Sequence, residues 1–280
     1  MNSMNIYLAA LGLCMGSFVE AAVWRAHARS SSAKLTQKRR RELSMLHGRS
    51  MCAHCSHQLA WYDLIPLLSW LSLMGKCRYC RKPIGWQAPL LELTTAGLFV
   101  ISYLNWPMYL SPEFGATWVA FGLWLSVLVW FVYLSAYDLR WMLLPNKAVL
   151  GAVVSSVALW VAREVTLGFE WVSVLNVIGA VAVLAGLFWA LYQVSDGQWI
   201  GGGDVKLAVA LGILAGEPVR AFLVLFIASL LGSIIGVTMA LKARSRQLHV
   251  PFGPFLMGAT VIVYLFGGDL IEWYVRTLLG

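Results

Sequence analysis

At 280 residues, 60% of them hydrophobic and only 12% charged, the chain has a mean hydropathy of +0.72. A soluble domain carries about twice that share of charge, so composition alone excludes one and implies an integral membrane protein. The formal net charge of +8 does not call for nucleic acid, because Lys and Arg collect in the cytosolic loops of membrane proteins.

Hydrophobic stretches at 4–24, 89–109, 116–137, 143–162, 171–193, 203–216, 219–241 and 252–275 predict an all-α polytopic protein with about eight transmembrane helices. The first stretch is not read as a signal peptide. Met1–Asn5 has no basic residue, and the positive charge follows the stretch at Arg25 and Arg29, which predicts a retained helix with its N-terminus outside. The polar insert 25–88 between the first two spans is then cytosolic. It holds twelve of the chain's 21 Lys and Arg, and this topology leaves only Arg163, Arg220 and Arg276 outside. Fourteen Trp and ten Tyr suit interfacial belts as well as helix packing. The segment 203–216 is the weakest span, about 21 Å long against a hydrocarbon core of about 30 Å. Reading it as re-entrant would turn the next helix around and expose Lys242, Arg244 and Arg246 outside, so it is kept as a span. No internal repeat is evident. The expected organisation is a first helix at 1–24, a cytosolic loop at 25–88 and a membrane core at 89–280.

Two acids stand at span ends. Asp138 closes the third span, and Asp204 opens the sixth within Gly201-Gly202-Gly203-Asp204-Val205-Lys206. Asp at mid-span costs about 2.5 to 3.5 kcal/mol on insertion scales, whereas a span end is affordable. The topology puts both acids at the cytosolic surface. Separately, Asp138 reads as a hydrated helix-end charge beside Arg140, and Asp204 as a helix-start acid. Together they read as a hydrolytic pair: two close carboxyl groups share a proton, so one can activate water while the other polarises a carbonyl. The glycines would let a substrate strand approach the backbone closely. Lys206 reads as an interfacial anchor. Asp196 lies in the loop before Asp204, and Asp269 and Glu272 are placed at the opposite face.

The insert carries Cys52-Ala53-His54-Cys55 and Cys77-Arg78-Tyr79-Cys80, two C-x-x-C knuckles 21 residues apart. That spacing is close to that of four-cysteine structural zinc sites, and a reducing cytosol disfavours the alternative of two disulfides. Zinc bound by Cys52, Cys55, Cys77 and Cys80 is expected, with His54 and His57 as possible substitutes. Cys14 reads as a small packing residue of the first span. Glu92 and Asp63 read as charge partners, structural caps or contributors to a second chemistry. The run Lys38-Arg39-Arg40-Arg41 reads as a topology signal or a contact for anionic lipid. No nucleic-acid partner is expected, since no recognition module is visible.

Gly201-Gly202-Gly203-Asp204-Val205-Lys206 resembles the G-x-G-D-x-K signature of prepilin peptidases, the membrane aspartic proteases of type IV pilus and type II secretion systems. Asp138 with Leu144-Pro145-Asn146 is similar to their other aspartate motif, although Asn146 stands where a second Asp is usual. Val250-Pro251-Phe252-Gly253-Pro254-Phe255-Leu256 is similar to the family segment opening the last helix. Trp61–Leu71, Gly75–Arg78 and Pro89–Leu93 are similar to its cytosolic loop and second-helix entrance, and Gly16-Ser17-Phe18 to its first-helix motif. The resemblance covers most of the chain, in family order.

It implies catalytic Asp138 and Asp204, a bacterial cytoplasmic-membrane location with the site facing the cytosol, and prepilin or pseudopilin substrates cut after Gly ahead of an apolar helix. It also implies S-adenosylmethionine-dependent methylation of the new N-terminus. Glu20 and Ala96 depart from the usual family residues, and no Gly-rich cofactor signature locates a methyl-donor site. From the residues alone, the alternative is a proton- or ion-coupled transporter with a zinc-stabilised cytosolic domain.

Overall fold

The computed structural model describes residues 3–31, 36, 37, 43, 44, 48–107, 115–243 and 250–278. Lys34, Lys38–Arg41, Arg244, Arg246 and the side chain of Lys242 lie outside the described residues. Among the described residues, regular structure is helical, with two isolated β-bridges and no strands. The helices are α1 (Ser3–Ser30), the short α2 (Leu68–Ser72), α3 (Gln87–Leu104), α4 (Gly115–Trp141) and α5 (Asn146–Leu167), followed by α6 (Trp171–Val194), α7 (Gly202–Ala215), α8 (Pro218–Ala243) and α9 (Gly253–Leu278). They fall into two compact units, Met1–Leu104 and Asn105–Gly280.

Seven helices are long and apolar enough to cross a membrane. The eighth expected span is α7, only 14 residues long, and its surroundings explain its length. Leu207, Ala208, Ala210 and Leu211 have no exposed surface, because α5, α6, α8 and α9 pack around the helix. A helix enclosed by protein has its backbone polarity and apolar side chains satisfied by neighbours, so bilayer thickness does not set its length. Gly212 makes the closest approach: a Cβ there would lie 2.7 Å from the Cα of Val181. Immediately beyond, α6 widens into a π-helical turn at Ala182–Gly186. Around this centre, α4 supplies much of the core through Trp124, Val127, Leu128 and Leu134. Trp124 stacks on Tyr264 of α9, with ring centroids 4.1 Å apart.

In the first unit, α1 and α3 pack backbone to backbone. A Cβ on Gly12 would lie 2.5 Å from the Cα of Ala96, and one on Gly16 would lie 2.5 Å from the Cα of Glu92. Glycines four residues apart share a helix face, and close approach of this kind is how helices associate in lipid. Gly16→Val is therefore expected to force the helices apart at about 1–3 kcal/mol, seen as a lower thermal midpoint of the detergent-solubilised protein. Gly97→Ala is the matched control, since its added methyl meets nothing within 4 Å; it should not lower the midpoint. Equal behaviour of the two variants would refute the packing argument.

Candidate functional site

Three helix ends meet in the second unit. Asp138 occupies the last turn of α4 and is buried, with 6% of its surface exposed. That turn closes when the Met142 N–H donates to the Asp138 carbonyl at 2.8 Å, and Met142 takes a left-handed backbone with φ 52°. The chain then passes through Leu143-Leu144-Pro145 into α5. Asp204 lies in the first turn of α7, where its carboxylate turns back toward the Gly201 backbone. This is half of a capping box, an acid at the third helical position facing the residue that precedes the helix. Gly253 begins α9, and its backbone N–H faces the Asp138 carboxylate.

The convergence is read most directly at Gly253. A Cβ at that residue would lie 2.6 Å from Asp138 Oδ2 and 3.7 Å from Asp204 Oδ1. Both carboxylates therefore border the space left by one missing side chain. The positive ends of α7 and α9 point to the same place, which favours negative charge there. The turn after α4 also rests on the glycine turn before α7: a Cβ on Gly203 would come 3.0 Å from Leu144 Cβ. Lys206 Nζ donates to Asn146 Oδ1 at 2.9 Å, joining the two aspartate segments a second time.

Lys206 is thus a cross-link between α7 and α5 rather than only an interfacial anchor. Gly253 was legible in the sequence merely as part of a helix start. Asp269 lies about 24 Å along the α9 axis from Gly253, and Glu272 beyond it pairs with Arg276, so neither joins the acid pair.

In the first unit the cysteines form a second centre. The thiol sulfurs of Cys52, Cys55, Cys77 and Cys80 all lie within 4.8 Å of one another, and all four cysteines are free. Cys52 Sγ and Cys80 Sγ are 3.9 Å apart. Four sulfurs about 2.3 Å from one tetrahedral ion stand about 3.8 Å apart, so the donor set suits a metal ion once its widest pairs draw in by up to about 1 Å.

The knuckles are also a structural repeat, which the sequence reading missed. Bridges Met51–Gln58 and Lys76–Pro83 frame them. Cys52 N–H donates to His57 O at 3.0 Å, as Cys77 N–H does to Lys82 O at 2.9 Å. Ser56 and Arg81 occupy the same left-handed position, with φ 56° and 58°. Neither is the glycine that would have advertised such a turn.

Burial opposes ionisation of Cys52, but the backbone N–H groups of Cys55 and His54 and the neighbouring thiols outweigh it and bring its pKa down to about 7. At Cys80 the Lys82 N–H acts downward, yet burial and the other three thiols push the pKa up to about 11. Four thiolates this close repel one another, and a bound cation removes that repulsion. His54 and His57 are outside the cluster; the His57 ring lies 3.7 Å from that of Tyr79.

Asp63 clamps the second knuckle by accepting from Arg78 Nε at 2.7 Å and Tyr79 Oη at 3.1 Å. Burial acts against its charge, but these donors and the Ala60 N–H hold its pKa below the usual carboxylate range. The clamp therefore persists above that range and is lost as pH falls through the lowered value. Glu92 Oε2 accepts the Leu67 N–H at 2.8 Å, holding a residue whose φ is 57°. Cys14, expected as a packing residue, is exposed.

Residues 10–106 match the bacterial peptidase A24 N-terminal domain, and residues 125–237 match the type IV leader peptidase family. A prepilin leader peptidase/N-methyltransferase of Aeromonas hydrophila is 36% identical over 82% of this chain and 76% of its own length. Proteins of the same name from Aeromonas salmonicida and Pseudomonas aeruginosa are 34% and 30% identical over 95% of this chain, covering 92% and 91% of theirs. No solved structure matches the chain. Similarity across both segments and nearly the whole length means that this chain belongs to the type IV leader peptidase family, with the A24 N-terminal domain of its bacterial members.

Proposed function

We propose that this protein is a membrane aspartic endopeptidase that removes the leader peptide of type IV prepilins or pseudopilins, with Asp138 and Asp204 as its catalytic pair. The observation that carries the reading is the convergence of both carboxylates over Gly253. A pair of this kind works with one shared proton. The ionised member takes a proton from the attacking water, while the protonated member donates to the scissile carbonyl. Because the pair titrates as a unit, base and acid belong to the pair and not to one named residue. The Gly201–Gly203 turn provides backbone that an extended substrate can approach.

The excess of Lys and Arg in 25–88 supports a cytosolic insert and a site at the cytosolic face of the bacterial inner membrane. The substrate's apolar helix then stays in lipid while its short leader remains in water. The four cysteines hold a structural zinc ion that fixes the insert, since all four tetrahedral positions are taken by protein. Residues 25–88 serve the second activity, N-methylation of the new N-terminus with S-adenosylmethionine, and 89–280 form the peptidase core. The names borne by the relatives support both activities; neither they nor the site favour a transporter.

Asp138→Asn or Asp204→Asn is expected to lower prepilin cleavage by at least about 10²–10⁴-fold, the usual range for one general acid–base group, without loss of membrane insertion. Normal turnover by either reconstituted variant would remove that residue from the pair. Gly253→Ala places a methyl 2.6 Å from Asp138 Oδ2. A forced displacement of that scale should cut the cleavage rate about 100-fold with little change in thermal midpoint, and an unimpaired Gly253→Ala enzyme would mean the acids do not work around this space. For the insert, Cys52→Ser should lower bound zinc, measured by elemental analysis of purified protein, and acid should release it from the wild type because thiolates are the ligands. Full metal content in the variant would rule out the four-cysteine site.

A further inference from the structure

The end of the second unit away from the acid pair carries a buried polar cluster that the proposed cleavage does not use. Arg163 lies about 25 Å along α5 from Asn146, and Tyr264 about 16 Å along α9 from Gly253. Five side-chain atoms are enclosed here without a hydrogen bond of proper geometry: Trp106 Nε1, Arg163 Nε, Glu164 Oε2, Arg220 Nε and Tyr264 Oη. Four of the five groups converge on Tyr264, a residue only 6% exposed. The Trp106 ring centroid is 5.9 Å from that of Tyr264, and Arg163 Cζ lies 5.7 Å from the same centroid. Arg163 and Arg220 both reach the Tyr264 hydroxyl electrostatically. Glu217 stands 3.9 Å from Arg220 Nε, beyond hydrogen-bond distance. Glu164 also borders an apolar cleft of about 420 Å³, with Trp160, Val161, Val165 and Phe169. Depth adds to the problem these groups pose. With its first turn at the membrane edge proposed for the acids, α7 rises about 21 Å, so the turn into α8 stops about 9 Å short of the far edge of the hydrocarbon core. Arg220, in the first turn of α8, follows directly. Lipid tails cannot satisfy guanidinium, indole and phenol donors at that depth.

We propose that this cluster is a lipid-headgroup site, and that its ligand is a zwitterionic phospholipid with a primary ammonium, of the phosphatidylethanolamine class. Arg163, Arg220, Trp106 and Tyr264 are donors, and phosphate oxygens accept from all four. Glu164 and Glu217 balance the two guanidinium charges. A purely anionic headgroup would therefore meet two carboxylates as well as two arginines, whereas a phosphate joined to an ammonium finds a partner of each sign. A primary ammonium can also donate hydrogen bonds to those carboxylates, which a quaternary one cannot. The Trp160 face on the cleft suits the same cation, and Val161, Val165 and Phe169 suit the apolar chain behind the headgroup. Two other acids of α9 are farther along the helix: Asp269, and Glu272, which is paired with Arg276. Charged side chains within a span draw headgroups and water down to their own depth. The bound headgroup thus fills the depth that the short α7 leaves, and it satisfies donors that protein neighbours leave open.

The test uses the full-length protein in nanodiscs of equal parts phosphatidylethanolamine, phosphatidylglycerol and phosphatidylcholine, released for native mass spectrometry. The wild type should retain one phosphatidylethanolamine at least about tenfold over either other lipid. Tyr264→Phe and Trp106→Phe each remove one donor and no charge, and should cut that preference to about threefold or less. Glu272→Gln, farther along α9, should leave it unchanged. In detergent, short-chain phosphatidylethanolamine should raise the thermal midpoint and inorganic phosphate should not. Independently of any variant, a phosphatidylethanolamine with a photoactivatable headgroup should label wild-type peptides within 105–107, 160–169 or 217–224. Equal retention of the three lipids, or a preference for phosphatidylglycerol or phosphatidylcholine, overturns the headgroup assignment. Labelling confined to other segments, or undiminished preference in both Phe variants, overturns the location. A midpoint that rises as far with inorganic phosphate makes this a site for a free anion and overturns the lipid. None of these measurements reads cleavage, so the result is separate from the assignment of Asp138 and Asp204.

Discussion

Two carboxyl groups drawn from distant parts of the chain must share one small space, and the second unit is organised around that requirement. Each acid is individually unfavourable at a helix end in an apolar protein. The cost is offset by directed polarity: the Gly253 N–H faces Asp138, the Gly201 backbone faces Asp204, and two helix N-termini point inward. Sterics are equally restrictive. Gly203 must admit Leu144, and Gly253 must leave room for both carboxylates. A short α7 follows from the same arrangement, since its first turn has to begin beside α4 and α9 and its apolar residues are then enclosed by protein.

The sequence reached the acids because Asp in an apolar chain is conspicuous and because each sits in a motif of glycine or proline. It reached the cysteines because C-x-x-C spacing is set by local backbone geometry. What it missed depends on tertiary approach. Gly253 matters through two side chains that arrive from α4 and α7, so its importance has no local signature. The same is true of Lys206 and Asn146, sixty positions apart and joined only by folding. The knuckle repeat escaped for a different reason: Ser56 and Arg81 adopt left-handed backbones that sequence patterns assign to glycine or asparagine. Hydropathy picked out α7 as the weakest span but could not show why it is short, because it measures apolarity and does not reveal whether lipid or protein surrounds a helix.

Asn146 shows how a departure from a family pattern can be absorbed. With Asp at that position, Lys206 would face a full negative charge; with Asn it meets an amide oxygen at hydrogen-bond distance. The tie between the two aspartate segments survives, with less Coulombic attraction and less desolvation of a carboxylate. Ala96 is similar. The backbone contact with Gly12 is made at the Ala96 Cα and N, so the methyl of alanine is accommodated as long as Gly12 itself has none. In both places the tolerance lies in the partner residue.

The two centres draw their supports from separate parts of the chain. Every group described as holding Asp138 and Asp204 in place — Gly201, Gly203, Leu144 and Gly253 — lies between Asn105 and Gly280. Every group holding the cysteine knuckles, including Asp63, Arg78 and His57, lies before Leu104. The proposed metal would cross-link the insert, and its loss would leave the contacts around the acids in place. An acid pair supported in this way does not draw its geometry from the cysteine cluster, so the proposed proteolysis and the proposed methyl transfer can be lost or altered independently in the same polypeptide.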